Sequence, residues 1–173
     1  MTKYGIAIFP SKRVQDFANS YRKRYDSHYA LIPPHITLKS AFEADEQQID
    51  QIVQELQRIA AETDVIPLTI TKFSSFYPAN TVIYLKVEPN ETLTALHQKL
   101  YSGIFTDQPE FAFVPHITIG RDLSDGEYFD VYGQLKMQTV HFSETADRFH
   151  LLYQLEDGAW TVYETFRLGK EKS

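Results

Sequence analysis

The alternation of apolar and polar positions divides the chain into strands and helices before any composition is considered. Tyr4 to Phe9 reads as a strand, Pro10-Ser11 interrupts it, and Val14, Phe17, Ala18, Tyr21 and Tyr25 then recur at helical spacing. Ser11 carries the hydroxyl that caps such a helix. From about Asp45 a second helix is predicted, because Ile49, Ile52, Val53, Leu56, Ile59 and Ala60 hold one apolar face through an otherwise polar segment. "VIPLTITKFSSFY" and "TVIYLKVEP" are rich in β-branched and aromatic residues and flank the turn signal Pro78-Ala79-Asn80, which predicts a hairpin. "NETLTALHQKLYSG" reads as a helix with Leu93, Leu96 and Leu100 inward and Gly103 as its stop. A weaker helix near Glu127 to Met137, a strand in "TVHFSE" and a closing hairpin around Asp157-Gly158 complete the pattern.

The order of these elements repeats. Strand, proline, helix, loop and the string "PHIT" describe residues 4–38, ending in "PPHITL", and again residues 82–119, ending in "PHITIG". The expectation is an α+β chain forming a single domain of two lobes related by a pseudo-two-fold axis, each a small antiparallel sheet with helices on its outer face and a central cleft between them. The repeat units are about residues 4–75 and 82–143, with the hairpin 147–168 added.

Composition narrows the chemistry. The 173 residues are 43% hydrophobic, enough to bury a core, and contain no cysteine, which removes disulfides, thiolate nucleophiles and cysteine-ligated metals. A formal charge of −6 argues against a footprint for long duplex nucleic acid. No stretch has the length of a signal h-region or a membrane span, so the expectation is a cytoplasmic protein with no membrane partner, for which a monomer suffices.

If each PHIT is a strand, His35 and Thr37 share one face while Ile36 and Leu38 share the other, and the same holds for His116 and Thr118 against Ile117 and Ile119. The apolar pairs anchor the strands and the polar pairs look into the cleft. Two imidazoles can act as an acid/base pair, since a reference pKa of about 6.5 makes both forms accessible. The threonine hydroxyls can hold phosphate oxygens, and Lys39 and Arg121 can add charge-assisted contacts. A metal site would need further ligands, for which only Asp122 and Asp125 lie near, and neither motif has H-x-x-x-H spacing. His28, His97, His141 and His150 are read as structural or surface residues, and the basic run "YRKRY" as a solvated helix face. Tyr4, Phe9, Phe42, Phe73, Phe76, Tyr77, Phe111, Phe113 and Tyr153 are read mainly as core, with one or two free to stack a base at the cleft rim.

"HITL" at 35–38 and "HITI" at 116–119, in a duplicated chain of this length, resemble the two H-x-T/S-x motifs of the 2H phosphoesterase superfamily. These are the LigT-like enzymes, which include RNA 2′,3′-cyclic phosphodiesterases, also called 2′-5′ RNA ligases. The contexts "HITLKS" and "HITIGR" look most like its small YjcG-like branch, and the resemblance covers the whole chain. It implies metal-independent attack of water on a cyclic or activated phosphodiester, without a cofactor, with His35 and His116 as acid and base and Thr37 and Thr118 as phosphate ligands. Arg121 falls where many relatives carry a basic residue, whereas Lys39-Ser40 stands where relatives acting on RNA ends often continue differently. The expected partner is a small phosphodiester or an RNA end bearing a 2′,3′-cyclic phosphate. The alternative is a binding module that captures a phosphorylated nucleotide or RNA end in the same pocket without turnover.

Overall fold

The computed structural model describes residues 1–169. Chain order is β1 (Thr2–Ile8), α1 (Lys12–Tyr25), β2 (Ile36–Ala44), α2 (Glu46–Glu62), β3 (Ile66–Ser75), β4 (Ile83–Val87), α3 (Glu91–Lys99), β5 (His116–Gly120), α4 (Asp125–Leu135), β6 (Phe142–Ala146), β7 (Arg148–Gln154) and β8 (Trp160–Arg167). The helices begin where side chains can cap them. Ser11 accepts from the Val14 amide, and Asp45 and Ser124 form reciprocal capping boxes with Gln48 and Glu127. Asp45→Ala is expected to lower stability by about 0.5–2 kcal/mol, read as an earlier urea midpoint with unchanged slope.

All strand pairings are antiparallel, in the order β6-β3-β4-β5-β2-β1-β7-β8. The expectation of two separate sheets is therefore met only in part. The strands form one sheet, but its middle seam is narrow, with Ile36 opposite Ile117 as the registered pair between β2 and β5. Nor does each half of the sheet hold only its own stretch of chain. The β3–β4 hairpin, paired from Ile70↔Val87 to Ser75↔Ile83, carries β3 from the first stretch into the half that contains β4 and β5.

The helices cover the face to which Ile36, Leu38, Ile117 and Ile119 point, all at most 1% exposed. Here α1 packs over β5, while α2 and α3 pack over β2, so the first helix lies under the second half and ties the two together. Its Phe17 and Tyr21 rings meet Phe73 of β3, and Phe17 also meets Phe142 of β6. Each fully buried isoleucine or leucine in this layer contributes about 1.5–3 kcal/mol. The core thus holds the helix face of β2 and β5 still and leaves their other face for the cleft. No helix among the described residues is long and apolar enough to cross a membrane.

Candidate active site at the β2–β5 seam

The two histidines are presented in the same way, and the proline before each explains how. His35 donates its Nδ1–H to the Pro33 carbonyl at 2.8 Å, and His116 donates its Nδ1–H to the Val114 carbonyl at 2.6 Å. In both cases the acceptor lies two residues back and is followed by proline, Pro34 or Pro115. Proline biases its predecessor toward extended backbone and has no N–H of its own. A carbonyl only accepts, so Nδ1 carries the proton in each ring and a neutral imidazole keeps a bare lone pair on Nε2.

Counting outward from the antiparallel Ile36↔Ile117 pair sets His35 towards Thr118 and Thr37 towards His116. All four lie on the face opposite the buried isoleucines, as the alternation predicts. The structure therefore brings the two histidines and two threonines together at the seam. His116 is wedged between Phe76 and Tyr84, with ring centroids 5.1 and 5.0 Å away.

Arg121 joins this group through the segment that follows α1. Its backbone N–H donates to Tyr25, and Ser27 hydrogen-bonds Asp122, whose left-handed backbone (φ 59°) turns the chain just past β5. The Arg121 guanidinium donates from Nη1 to His28 Nδ1 at 2.9 Å. Its Nε lies 2.9 Å from Asp26 Oδ1, an ion-pair contact without hydrogen-bond alignment. Because guanidinium only donates, His28 accepts on Nδ1 and is the Nε2–H tautomer. Arg22 lies behind them, buried, donating to Asp26 Oδ2 at 3.1 Å, Asn19 Oδ1 at 2.7 Å and the Ile32 carbonyl at 2.6 Å.

Two arginines against one aspartate leave a positive field, and it reaches the imidazoles. Burial is the largest cause that pulls His35 down to about 4. The Pro33 hydrogen bond opposes it, and the charges of Arg22, Arg121 and His116 add to it. Burial likewise lowers His116, opposed by the Val114 bond and aided by Arg121. The site thus disfavours cations and favours an anion.

A cavity of about 250 Å³ opens from His35, Thr37, His28 and Arg121 and ends against Leu152 and Trp160. Lys39 lines the same cavity, but its ammonium is held by other partners. A bulge between the Ile6↔Lys39 and Ala7↔Thr37 pairs turns its side chain out of alternation. Its ammonium donates to the Leu100 carbonyl at 2.9 Å and to Asp107 at 2.8 and 2.9 Å, and lies 3.6 Å from the Tyr101 ring centre. That charge fastens the loop after α3 to β2 and is committed away from any phosphate.

His28 corrects the opposite expectation, since a residue read as structural lines the cavity beside Arg121. Trp160 was also missed. Neither sits in a motif, and the one available clue was that Trp160 is the sole tryptophan. Arg22, from the run read as a solvated face, is 1% exposed. His97 stacks on Phe113, and His150, opposite Ala7 on β7, bonds Thr165; neither lines the cavity. Among the described residues no group of three or more His, Asp or Glu is placed to hold a metal ion.

Comparison with known proteins identifies the family. A family model described as the 2′-5′ RNA ligase superfamily matches residues 10–158. A protein of Geobacillus sp. (strain WCH70), named "Putative phosphoesterase", is 76% identical over 167 residues, 96% of either chain. A namesake from Geobacillus kaustophilus is 71% identical over 171 residues, 99% of either chain. Among solved structures, E. coli LigT complexed with 3′-AMP superposes with a TM-score of 0.73 at 19% identity, over 98% of this chain and 99% of that one. A structure described as a phosphoesterase reaches 0.75 at 20% identity over the same shares. With the fold shared end to end and the family model spanning both histidine motifs, the chain belongs to the 2′-5′ RNA ligase superfamily, the 2H phosphoesterases, and is a phosphoesterase.

Proposed function

We propose that the protein hydrolyses a small phosphodiester, a nucleotide or RNA-terminal 2′,3′-cyclic phosphate, with His35 and His116 as general acid and base and no metal in the step. The observation that carries this reading is the matched pair of Nδ1–carbonyl bonds, which leave two Nε2 atoms free at one seam. One ring takes a proton from water as it attacks phosphorus, and the other, protonated on Nε2, gives a proton to the oxygen that leaves. Thr37 and Thr118 donate to the non-bridging oxygens, and Arg121 offsets their charge. Descent of residues 4–75 and 82–143 from one duplicated unit accounts for the likeness of the two half-sites. The small-nucleotide reading draws support from E. coli LigT, whose structures include complexes with 3′-AMP, NADP+, ATP and phosphate.

The test is turnover of nucleoside 2′,3′-cyclic phosphates by purified protein in excess chelator. Saturable binding of every member of a phosphodiester panel without product would instead favour a binding module.

The pH dependence follows from the shifts. In the free protein both imidazoles titrate below the ordinary histidine value, His35 at about 4. The base is lost only as pH falls through that low range, and the acid must be protonated below about 6.5. The kcat/KM profile is therefore expected to be a bell whose two limbs both lie below about 6.5. Bound phosphate reverses the field and raises both rings, so the kcat profile shifts to higher pH. A descending kcat/KM limb above 6.5 would contradict this origin for the shifts.

A further inference from the structure

The geometry points to a subsite for a flat ring, a nucleobase, on the β1 side of the phosphate position, with Trp160 as its stacking wall. This makes a nearly symmetric His/Thr site accept its ester in one direction only. The inference rests on reading His35, Thr37 and Arg121 as the phosphate site.

The two half-sites differ at one matched position. Opposite Thr118, β4 places Tyr84, whereas opposite Thr37, β1 places Ala7. Tyr84 packs on Phe76 at 4.5 Å, and both rings press on His116, so the β4 side is already filled with aromatic groups. On the β1 side the next residue of the same face is Gly5, which has no side chain. Ala7 and Gly5 together leave a trough where the other half carries a phenol.

Trp160 closes that trough. A Cβ on Gly5 would lie 3.6 Å from Trp160 Cζ3 and 3.9 Å from Cη2, so the six-membered ring stands over the bare strand. The indole is held from behind: its backbone N–H donates to Leu31 at 2.8 Å, and Gly158, with φ 90°, turns the chain into β8 next to Leu31. Ile32 and Leu152 complete the apolar end, while His35, Thr37 and Arg121 form the cationic end. A cavity of about 250 Å³ with one anion-seeking end and one flat apolar wall suits a single phosphorylated nucleoside.

Because the chain has one tryptophan, its intrinsic fluorescence reads this wall alone. Adenosine 3′-monophosphate is titrated against methyl phosphate, which offers the anion without the ring, by fluorescence and by calorimetry. The nucleotide is expected to quench Trp160 and to bind about 5- to 150-fold more tightly, the range that one stacked base supplies. Methyl phosphate should bind without quenching. Trp160→Ala should reduce the nucleotide to the affinity of methyl phosphate. Ala7→Leu should do the same while its unquenched Trp160 emission reports an intact fold. Equal affinities for the two ligands in the unaltered protein, or an advantage that survives both substitutions, would overturn the subsite while leaving the phosphate site standing. Failure of both ligands to bind would overturn the phosphate site, and the subsite with it.

Discussion

Replacing either His35 or His116 with alanine is expected to lower kcat for a nucleoside 2′,3′-cyclic phosphate by about 10²–10⁴-fold, the usual contribution of a positioned acid or base. KM should change much less, because Thr37, Thr118 and Arg121 still hold the phosphate. The double variant should lose little beyond the worse single one, since an acid and a base serving one displacement act as a unit. The bell-shaped pH profile provides a second readout. Each single variant should lose one limb, and the limb lost identifies which ring is the base and which the acid. The low starting pKa of His35 makes the result informative in either case. If His35 is the base, its alanine variant loses the acid-side limb; if it is the acid, the limb on the alkaline side disappears. Undiminished turnover in either variant would end the paired-histidine mechanism.

The seam was legible in the sequence because strand alternation is a local rule. Once "HIT" is a strand, Ile36 and Ile117 must go inward and His35, Thr37, His116 and Thr118 outward, whatever the rest of the chain does. Capping was local too, so α1 and α2 begin where Ser11 and Asp45 place them. Lys39 defeated the same rule because a β-bulge is a property of a strand pair and not of one strand. The pairing with β1 shifts register beside Lys39, and two adjacent residues, Leu38 and Lys39, both end up buried. His28, Arg22 and Asp26 were illegible for a different reason. They acquire meaning only when the end of α1 is laid beside the end of β5, as the Arg121–Tyr25 backbone bond and the Asp26↔Arg121 bridge do. No periodicity within residues 21–28 announces a partner at 121. Trp160 reaches the cleft only because the last hairpin adds to β1, a contact made over some 150 residues of intervening chain.

That dependence on distant partners makes Asp26 the most consequential residue outside the two motifs. Its side chain is 0% exposed beside an Arg22 side chain at 2%, and it also contacts Arg121 and accepts from the His28 backbone N–H at 2.8 Å. Asp26→Ala would leave two guanidinium groups facing each other across a buried gap and one amide without an acceptor. Removing one member of a buried ion pair typically costs about 3–5 kcal/mol, a large fraction of the roughly 5–15 kcal/mol that holds a domain together. The expected result is a correspondingly earlier urea midpoint. Asp26→Asn, which keeps an acceptor oxygen but loses the charge, should fall between the variant and the unaltered protein. Phosphate separates this electrostatic account from simple loss of packing. With the carboxylate gone, Arg22 and Arg121 both lack their counter-ion beside His35, so an anion in the cleft supplies part of what was removed. Added phosphate should therefore stabilise Asp26→Ala by more than it stabilises the unaltered protein at the same concentration. An equal gain in both would mean that Asp26 holds the α1–β5 junction by shape alone and does nothing to offset the charge of Arg22 and Arg121 beside His35 and His116.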